Sequence, residues 1–172
     1  MPTKMRGMKE LERHLNTVLQ QAPRAVGSLA VNHFKDSFRL QRFNDKASPR
    51  WPVTKSGKSS GILIGKQSGR LRNSIRVTRA SLKEVRIGTD VDYARIHNEG
   101  GEVHPRVTPK MRKFAWAMSY KAKGAEKEKW KGLALTKKSK LDIRIPQRKF
   151  MGRSSSLNRT IENWFKRKLN FR

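Results

Sequence analysis

Val85-Arg86-Ile87-Gly88-Thr89-Asp90, running on to Tyr93-Ala94-Arg95-Ile96-His97-Asn98-Glu99-Gly100-Gly101, is the stretch on which the fold turns. Its first four residues alternate apolar with polar, the period of a strand with one buried face. Over residues 92–98 the period changes, and Tyr93, Ile96 and His97 fall on one face of a short helix. Gly100-Gly101 ends that helix, because glycine accepts the left-handed C-terminal conformation without a Cβ penalty.

Working outward, Ile75-Arg76-Val77-Thr78 alternates in the same way, and Ala80-Ser81-Leu82-Lys83 links it to Val85 as a half-buried antiparallel pair. Ahead of it lies Ser68-Gly69-Arg70-Leu71-Arg72-Asn73-Ser74-Ile75. Its glycine permits a sharp turn, after which Leu71 and Ile75 can both reach the core while Arg70 and Arg72 point outward. Downstream, Leu141-Asp142-Ile143-Arg144-Ile145 makes a third alternating strand. Within Ile145-Pro146-Gln147-Arg148-Lys149-Phe150-Met151-Gly152, the proline ends that strand because it cannot continue a ladder. Phe150 is then expected to plug the core.

The flanks read as helices. Met8, Leu11, Leu15, Val18 and Leu19 recur at helical spacing, and so do Val26, Leu29, Ala30, His33, Phe34 and Phe38 up to about residue 41. Pro23 between them either ends the first helix or sits in the first turn of a second. Residues 43–68 change to Gly, Ser, Pro and Lys, with Phe43, Trp51 and Ile62-Leu63-Ile64 as apolar anchors. A loop this long is commonly functional, and its low apolar content predicts ordering only against a neighbouring subunit. Thr108-Pro109 is a helix start, an N-cap followed by proline. A stripe of Met111, Phe114, Ala115 and Met118 is then expected to face the fold. Lysines dominate residues 121–140, and Leu157, Ile161, Trp164, Phe165 and Leu169 mark a last helix from about Ser155.

The sequence holds 41 Lys+Arg against 13 Asp+Glu, a formal charge of +28, and is 35% hydrophobic over 172 residues. One domain with a real core is expected at this length. Self-repulsion at this charge favours an anionic partner, whether DNA, RNA or an acidic protein surface. With no cysteine, disulfides and thiolate metal sites are excluded. No apolar run approaches the ~18 residues needed to span a bilayer, and the N-terminus lacks the apolar stretch of a signal peptide. A soluble protein made in a cytoplasm is expected, with no membrane partner.

Tests for chemistry fail. Ser56-Gly57-Lys58-Ser59-Ser60-Gly61 imitates a phosphate-binding loop, but Pro52 stands where the first glycine belongs and no buried strand precedes it. His14, His33, His97 and His104 form no metal spacing, even with Glu99 and Glu102 between the last two. No Ser/His/Asp arrangement is identifiable, and the sequon at Asn158-Arg159-Thr160 has no meaning without secretion. No enzyme, metal or cofactor is expected.

Each of the three segments alone is explicable as scaffold. Their order, with the strand, helix, strand and helix around them, resembles the phage virion-morphogenesis, or tail-completion, family. The likeness spans about residue 34 to the C-terminal helix and includes Phe43 and Trp51 ahead of the Gly-Arg-Leu-Arg segment. Its motif positions here are Gly69, Arg70, Leu71, Ser74 and Ile75; Gly88, Tyr93, Ala94, Ile96, His97, Gly100 and Gly101; and Ile145, Pro146, Arg148, Phe150 and Gly152. The resemblance implies an α+β fold: a small antiparallel β-sheet packed by a long N-terminal helix and a C-terminal helix, with a long basic loop and a helical insertion. Within one domain of residues 1–172, N-terminal helices fill 1–42, the long loop 43–68, sheet and short helix 69–107, the basic insertion 108–140, and strand plus C-terminal helix 141–172.

The resemblance further implies a structural virion protein at the head–tail neck or upper tail, assembled in the host cytoplasm. Such a protein completes or terminates the tail tube, usually as a homo-oligomeric ring between a portal-side connector and the tube. The insertion departs from the family by being longer and more basic than in a minimal member. Lys110, Arg112, Lys113, Lys121, Lys123, Lys127, Lys129 and Lys131 within it are the candidates for contact with a protein partner or, without sequence preference, with double-stranded DNA. The rival reading is a nucleic-acid-binding protein of nucleoid or ribosomal type. Charge favours it, but no recognition helix or RNA-binding signature does. A nuclease would need a carboxylate or histidine cluster that the sequence does not offer.

Overall fold

α1 (Pro2–Leu40) is one unbroken helix with Pro23 inside it, where the sequence predicts a break or a fresh start. An interior proline forfeits one backbone hydrogen bond and costs about 3 kcal/mol. Packing overrides that cost, because Val18, Ala22, Ala30, Phe34 and Phe38 are buried along a stripe that runs straight past the proline. The computed structural model describes residues 2–54, 57, 61–64 and 68–170. They form two compact units, one of Met1–Glu99 with Gln147–Arg172 and the other of Gly100–Pro146.

In the first unit, α1 carries a two-stranded antiparallel ribbon of β1 (Arg76–Ala80) and β2 (Val85–Gly88). Val77 stands opposite Ile87 and Ala80 opposite Val85, with an irregularity between Val77 and Arg79. Gly27 is what lets the ribbon lie so close to α1: a Cβ there would sit 2.8 Å from Val77 Cγ2. Alanine normally gains about 1 kcal/mol over glycine in a helix interior, yet Gly27→Ala is expected to lower the melting temperature. Trimming the obstruction in Gly27→Ala/Val77→Ala should recover part of the loss, and thermal melts of the three proteins check this.

A turn at Gly69, whose φ of 53° is left-handed, opens α2 (Arg70–Ser74), a short helix where a direct entry into the strand is expected. Leu71 and Ile75 are 2% and 1% exposed, and Arg70 and Arg72 face solvent. Asp90 pairs with Arg76 at 3.2 Å, and α3 (Ala94–Glu99) follows. α6 (Ser155–Leu169) packs along α1, with Ser154 as its N-cap accepting from the Leu157 N–H.

The second unit pairs β3 (Gly101–Val103) with β4 (Ile143–Ile145), Gly101 opposite Ile145 and Val103 opposite Ile143. The described strands therefore form two separate two-stranded sheets, not one sheet of three. The glycine pair conceals this: Gly100 at φ 74° caps α3, while Gly101 at φ 143° already begins β3. The α+β architecture with long first and last helices stands as expected.

α4 (Pro109–Lys121) opens as predicted, with the Thr108 Oγ1 accepting from the Met111 N–H at 3.2 Å. α5 (Gly124–Leu135) returns against it. The contact face of α4 keeps most of the expected stripe, with Ala115 buried and Met111 and Met118 half-buried, but not Phe114. Ala115 and Ser119 are buried, whereas Phe114 is 56% exposed and meets the edge of Trp130, with ring centroids 5.8 Å apart. Small side chains four residues apart let a second helix approach closely, which a phenylalanine ridge would prevent.

Candidate functional site

The three signature segments converge on one cluster. Phe150 is 1% exposed and lies against Phe38, with ring centroids 5.0 Å apart. Phe38 in turn meets the edge of Trp51 at 5.5 Å. Leu71, Ile75, Val91 and Ala94 complete the same core. Phe43, Trp51 and Ile62 of the long loop are buried there too, so the described parts of that loop order against their own chain and need no neighbour. Residues 55, 56, 58–60 and 65–67 lie outside the described residues. They include most of the phosphate-loop imitation and part of the segment expected to await a partner.

The backbone of residues 148–151 is gripped from three directions. The Arg148 N–H donates to the His97 carbonyl at 2.8 Å. Asn98 Oδ1 accepts from the N–H groups of Phe150 and Met151 at 2.9 and 3.0 Å. Trp51 Nε1 donates to the Lys149 carbonyl at 2.9 Å, and Ser37 Oγ reaches the Phe150 carbonyl at 3.4 Å. α3 thus ends as a clamp on the third segment, and Asn98 is its working side chain. Sequence reasoning missed Asn98, because its partners lie 52 and 53 residues away.

Two further polar anchors were not legible. Gln41, at φ 53°, closes α1 in the left-handed conformation. Its side-chain oxygen accepts from the Ile62 N–H at 2.8 Å and its carbonyl from the Trp51 N–H at 2.7 Å. Asp45 accepts from the N–H and hydroxyl groups of Ser155 and Ser156 at 2.8–3.1 Å. These bonds hold its carboxyl far below the usual carboxylate range, where its charge also favours the α6 N-terminus.

Buried His33 accepts from Asn44 Nδ2 at 3.3 Å through Nδ1, and its Nε2 lies 3.0 Å from Ser154 Oγ. A neutral Nε2–H tautomer satisfies both, and burial lowers the pKa of His33 below its ordinary value of 6.5. Burial, then the neighbouring Arg148 charge, lowers that of His97. In both cases the unfolded chain takes up a proton that the folded chain resists, so stability should fall as pH drops below 6.5. Asp45 adds stability above its unfolded value near 4 that is lost only in stronger acid. Urea melts at neutral and mildly acidic pH should show the first loss, and His33→Gln should flatten it.

Arg148 is the anomaly. It is 7% exposed, its Nη2 donates to the Pro52 carbonyl at 3.3 Å, and its Nε lacks a partner. No carboxylate pairs with it among the described residues, and the undescribed residues include no Asp or Glu. Burial lowers its pKa. His97 Nδ1 is likewise buried without a hydrogen bond.

The remaining motif positions shape the frame. Ser74 Oγ lies 2.6 Å from Thr89 Oγ1, tying the first segment to the second. A Cβ on Gly88 would touch Thr78 Cγ2 at 3.0 Å. Tyr93 is exposed and meets the His97 ring edge-on, Ile96 is half-buried, and Gly152 turns at φ 150°. Ile145 and Pro146 fall in the other unit with Gly100 and Gly101, so the third segment crosses the boundary between units. Among the described residues no three His, Asp or Glu side chains are grouped to hold a metal, and no helix is long and apolar enough to cross a membrane. Of the basic candidates, Arg112 is half-buried, and Lys110, Lys113, Lys121, Lys123, Lys127, Lys129 and Lys131 are exposed along α4 and α5.

Residues 8–170 match the phage virion morphogenesis family, which covers all three segments, both flanking helices and the insertion between them. The chain belongs to that family. No curated protein and no solved structure matches it. Membership makes it a bacteriophage protein of virion structure or assembly, associated with the virion and acting with other virion proteins. The cluster explains why the motifs look like scaffold, since their large apolar side chains share one core and most of their polar bonds run between segments, Arg148 Nε and His97 Nδ1 excepted.

Proposed function

We propose that the chain is a ring-forming component of the head–tail junction or upper tail, completing or terminating the tail tube and so enabling head–tail joining. The observation that carries this is the mutual engagement of the three segments, which leaves the exterior as the working part. That exterior is strongly basic, and on α4 it sets Tyr120, 82% exposed, beside Lys121. A symmetric head-to-tail contact closes a ring, and an anionic neighbour offsets the +28 charge.

The basic face of α4 and its sequel meets either an acidic surface on the adjoining ring or DNA in the channel, and the first is favoured. Replacing Lys110, Lys113, Lys121 and Lys123 with Gln tests it. DNA contact would lose affinity steeply with salt, with a logarithmic slope of ~0.7–0.9 per phosphate neutralised. An unchanged salt slope with fewer DNA-filled heads carrying tails is expected. A reduced slope with normal tail attachment would support the nucleic-acid reading, and no change in either would make the face merely solubilising.

A further inference from the structure

A cleft in the first unit lies between the loop that follows α1 and the third signature segment. Phe43, Pro49, Trp51 and Pro52 give it an apolar lining, Arg50 and Lys149 are its charged members, and its volume is about 500 Å³. A mostly apolar cavity of roughly 300–1,000 Å³ with a few convergent polar groups is the usual form of a ligand site. The walls are fastened within the chain. The Trp51 N–H donates to the Gln41 carbonyl at 2.7 Å, and Trp51 Nε1 donates to the Lys149 carbonyl at 2.9 Å. Lys149 Nζ sits 4.4 Å from the centre of the Phe43 ring. A site already built in this way loses little freedom when it is filled.

Charge indicates what fills it. Arg50 is exposed, Lys149 is half-buried, and neither pairs with a carboxylate among the described residues. Arg42 and Lys46, in the same stretch, are exposed too. The nearby acids are engaged elsewhere: Asp45 accepts from Ser155 and Ser156, and Asp36 pairs with Arg39 at 3.1 Å. Behind the wall, Arg148 donates from Nη2 to the carbonyl of Pro52, and its buried charge has no carboxylate among the described residues. A buried charge of this kind adds nothing to stability unless an anion is brought to it. The cleft thus gathers cations around an apolar lining and holds no counter-charge of its own among the described residues.

We propose that this cleft receives an acidic peptide segment of another virion protein. An apolar side chain of the segment enters among Phe43, Pro49 and Pro52, while carboxylates on either side of it meet Arg50 and Lys149. Concavity favours peptide over nucleic acid, since a duplex presents its phosphates on a convex surface and has no apolar side chain for the lining. The site shares no residue with the basic candidates of α4 and α5 and needs no ring.

The test is fluorescence titration of the full chain, freed of nucleic acid by nuclease, with a short labelled peptide of Asp and Glu around one central leucine, at about 0.15 M salt. Saturable binding is expected, with a shift of the Trp51 indole N–H resonance. Replacing the peptide's leucine with serine should weaken binding about tenfold or more, because the apolar lining loses its occupant. Arg50→Gln and Lys149→Gln should each weaken it several-fold, whereas Lys83→Gln, which removes the same charge from the ribbon turn, should change it less than about twofold. Arg148→Met should also weaken it while the protein stays folded by circular dichroism. Indifference to the leucine, or equal losses in Lys83→Gln and Arg50→Gln, would reduce the binding to general attraction by the +28 chain and overturn the proposal. An oligonucleotide of equal charge that displaces the peptide and is the more weakened by Arg50→Gln would assign the cleft to nucleic acid instead.

Discussion

Phe150→Ala is expected to cost about 3–5 kcal/mol, and Leu71→Ala about 2–5 kcal/mol. Both side chains are almost wholly enclosed, at 1% and 2% exposed, and neither site can collapse easily. Phe150 is held in place by backbone bonds on both sides of it, from Asn98, His97 and Trp51, so the clamp keeps the cavity open after the ring is removed. Cavities that cannot relax give the upper end of the range. A denaturant series reads the loss, and virion assembly should fail with folding. Losses under ~1 kcal/mol would mean that the signature segments do not form the core.

Arg148→Met should behave in the opposite way. A buried guanidinium with one carbonyl acceptor and no carboxylate carries an uncompensated desolvation cost. Replacing buried ionic groups by apolar side chains of similar volume is often neutral or stabilising by ~1–4 kcal/mol. The variant is therefore expected to melt at the same or a higher denaturant concentration. Arg148→Ala should melt lower, because it also leaves a void. Removal of the adjacent charge should let the pKa of His97 rise, visible in the titration of its ring protons. A large loss of stability in Arg148→Met would show that the guanidinium meets an acceptor strong enough to offset its burial.

Much of the chain was legible from local rules. The alternation at residues 75–78 and 85–88 predicts the ribbon. Thr108 followed by Pro109 marks the start of α4, and Gly69 and Gly100 lie at turns that require positive φ. Leu71 could be placed in the core because Gly69 permits the turn that brings it inward, and Phe150 because it follows the strand end at Pro146 and precedes the last helix. For the helix cap and the glycine turns the decisive interaction lies within a few residues, so the sequence carries its imprint.

What the tertiary structure alone decided is of a different kind. Pro23 reads as a break, and only the buried stripe on either side shows why α1 continues through it. The partner of β4 is a three-residue strand hidden behind a helix cap. Asn98, Gln41 and Asp45 are ordinary polar residues in sequence, and their side chains become anchors because folding brings backbone groups 21 to 111 residues away into reach. Apolar spacing likewise reveals that α1 has a face but not what covers it: Val18 is enclosed while Leu15 and Leu19 are open. Periodicity reports the geometry of one element. Burial depends on where other elements end, and α6 ends beside His14.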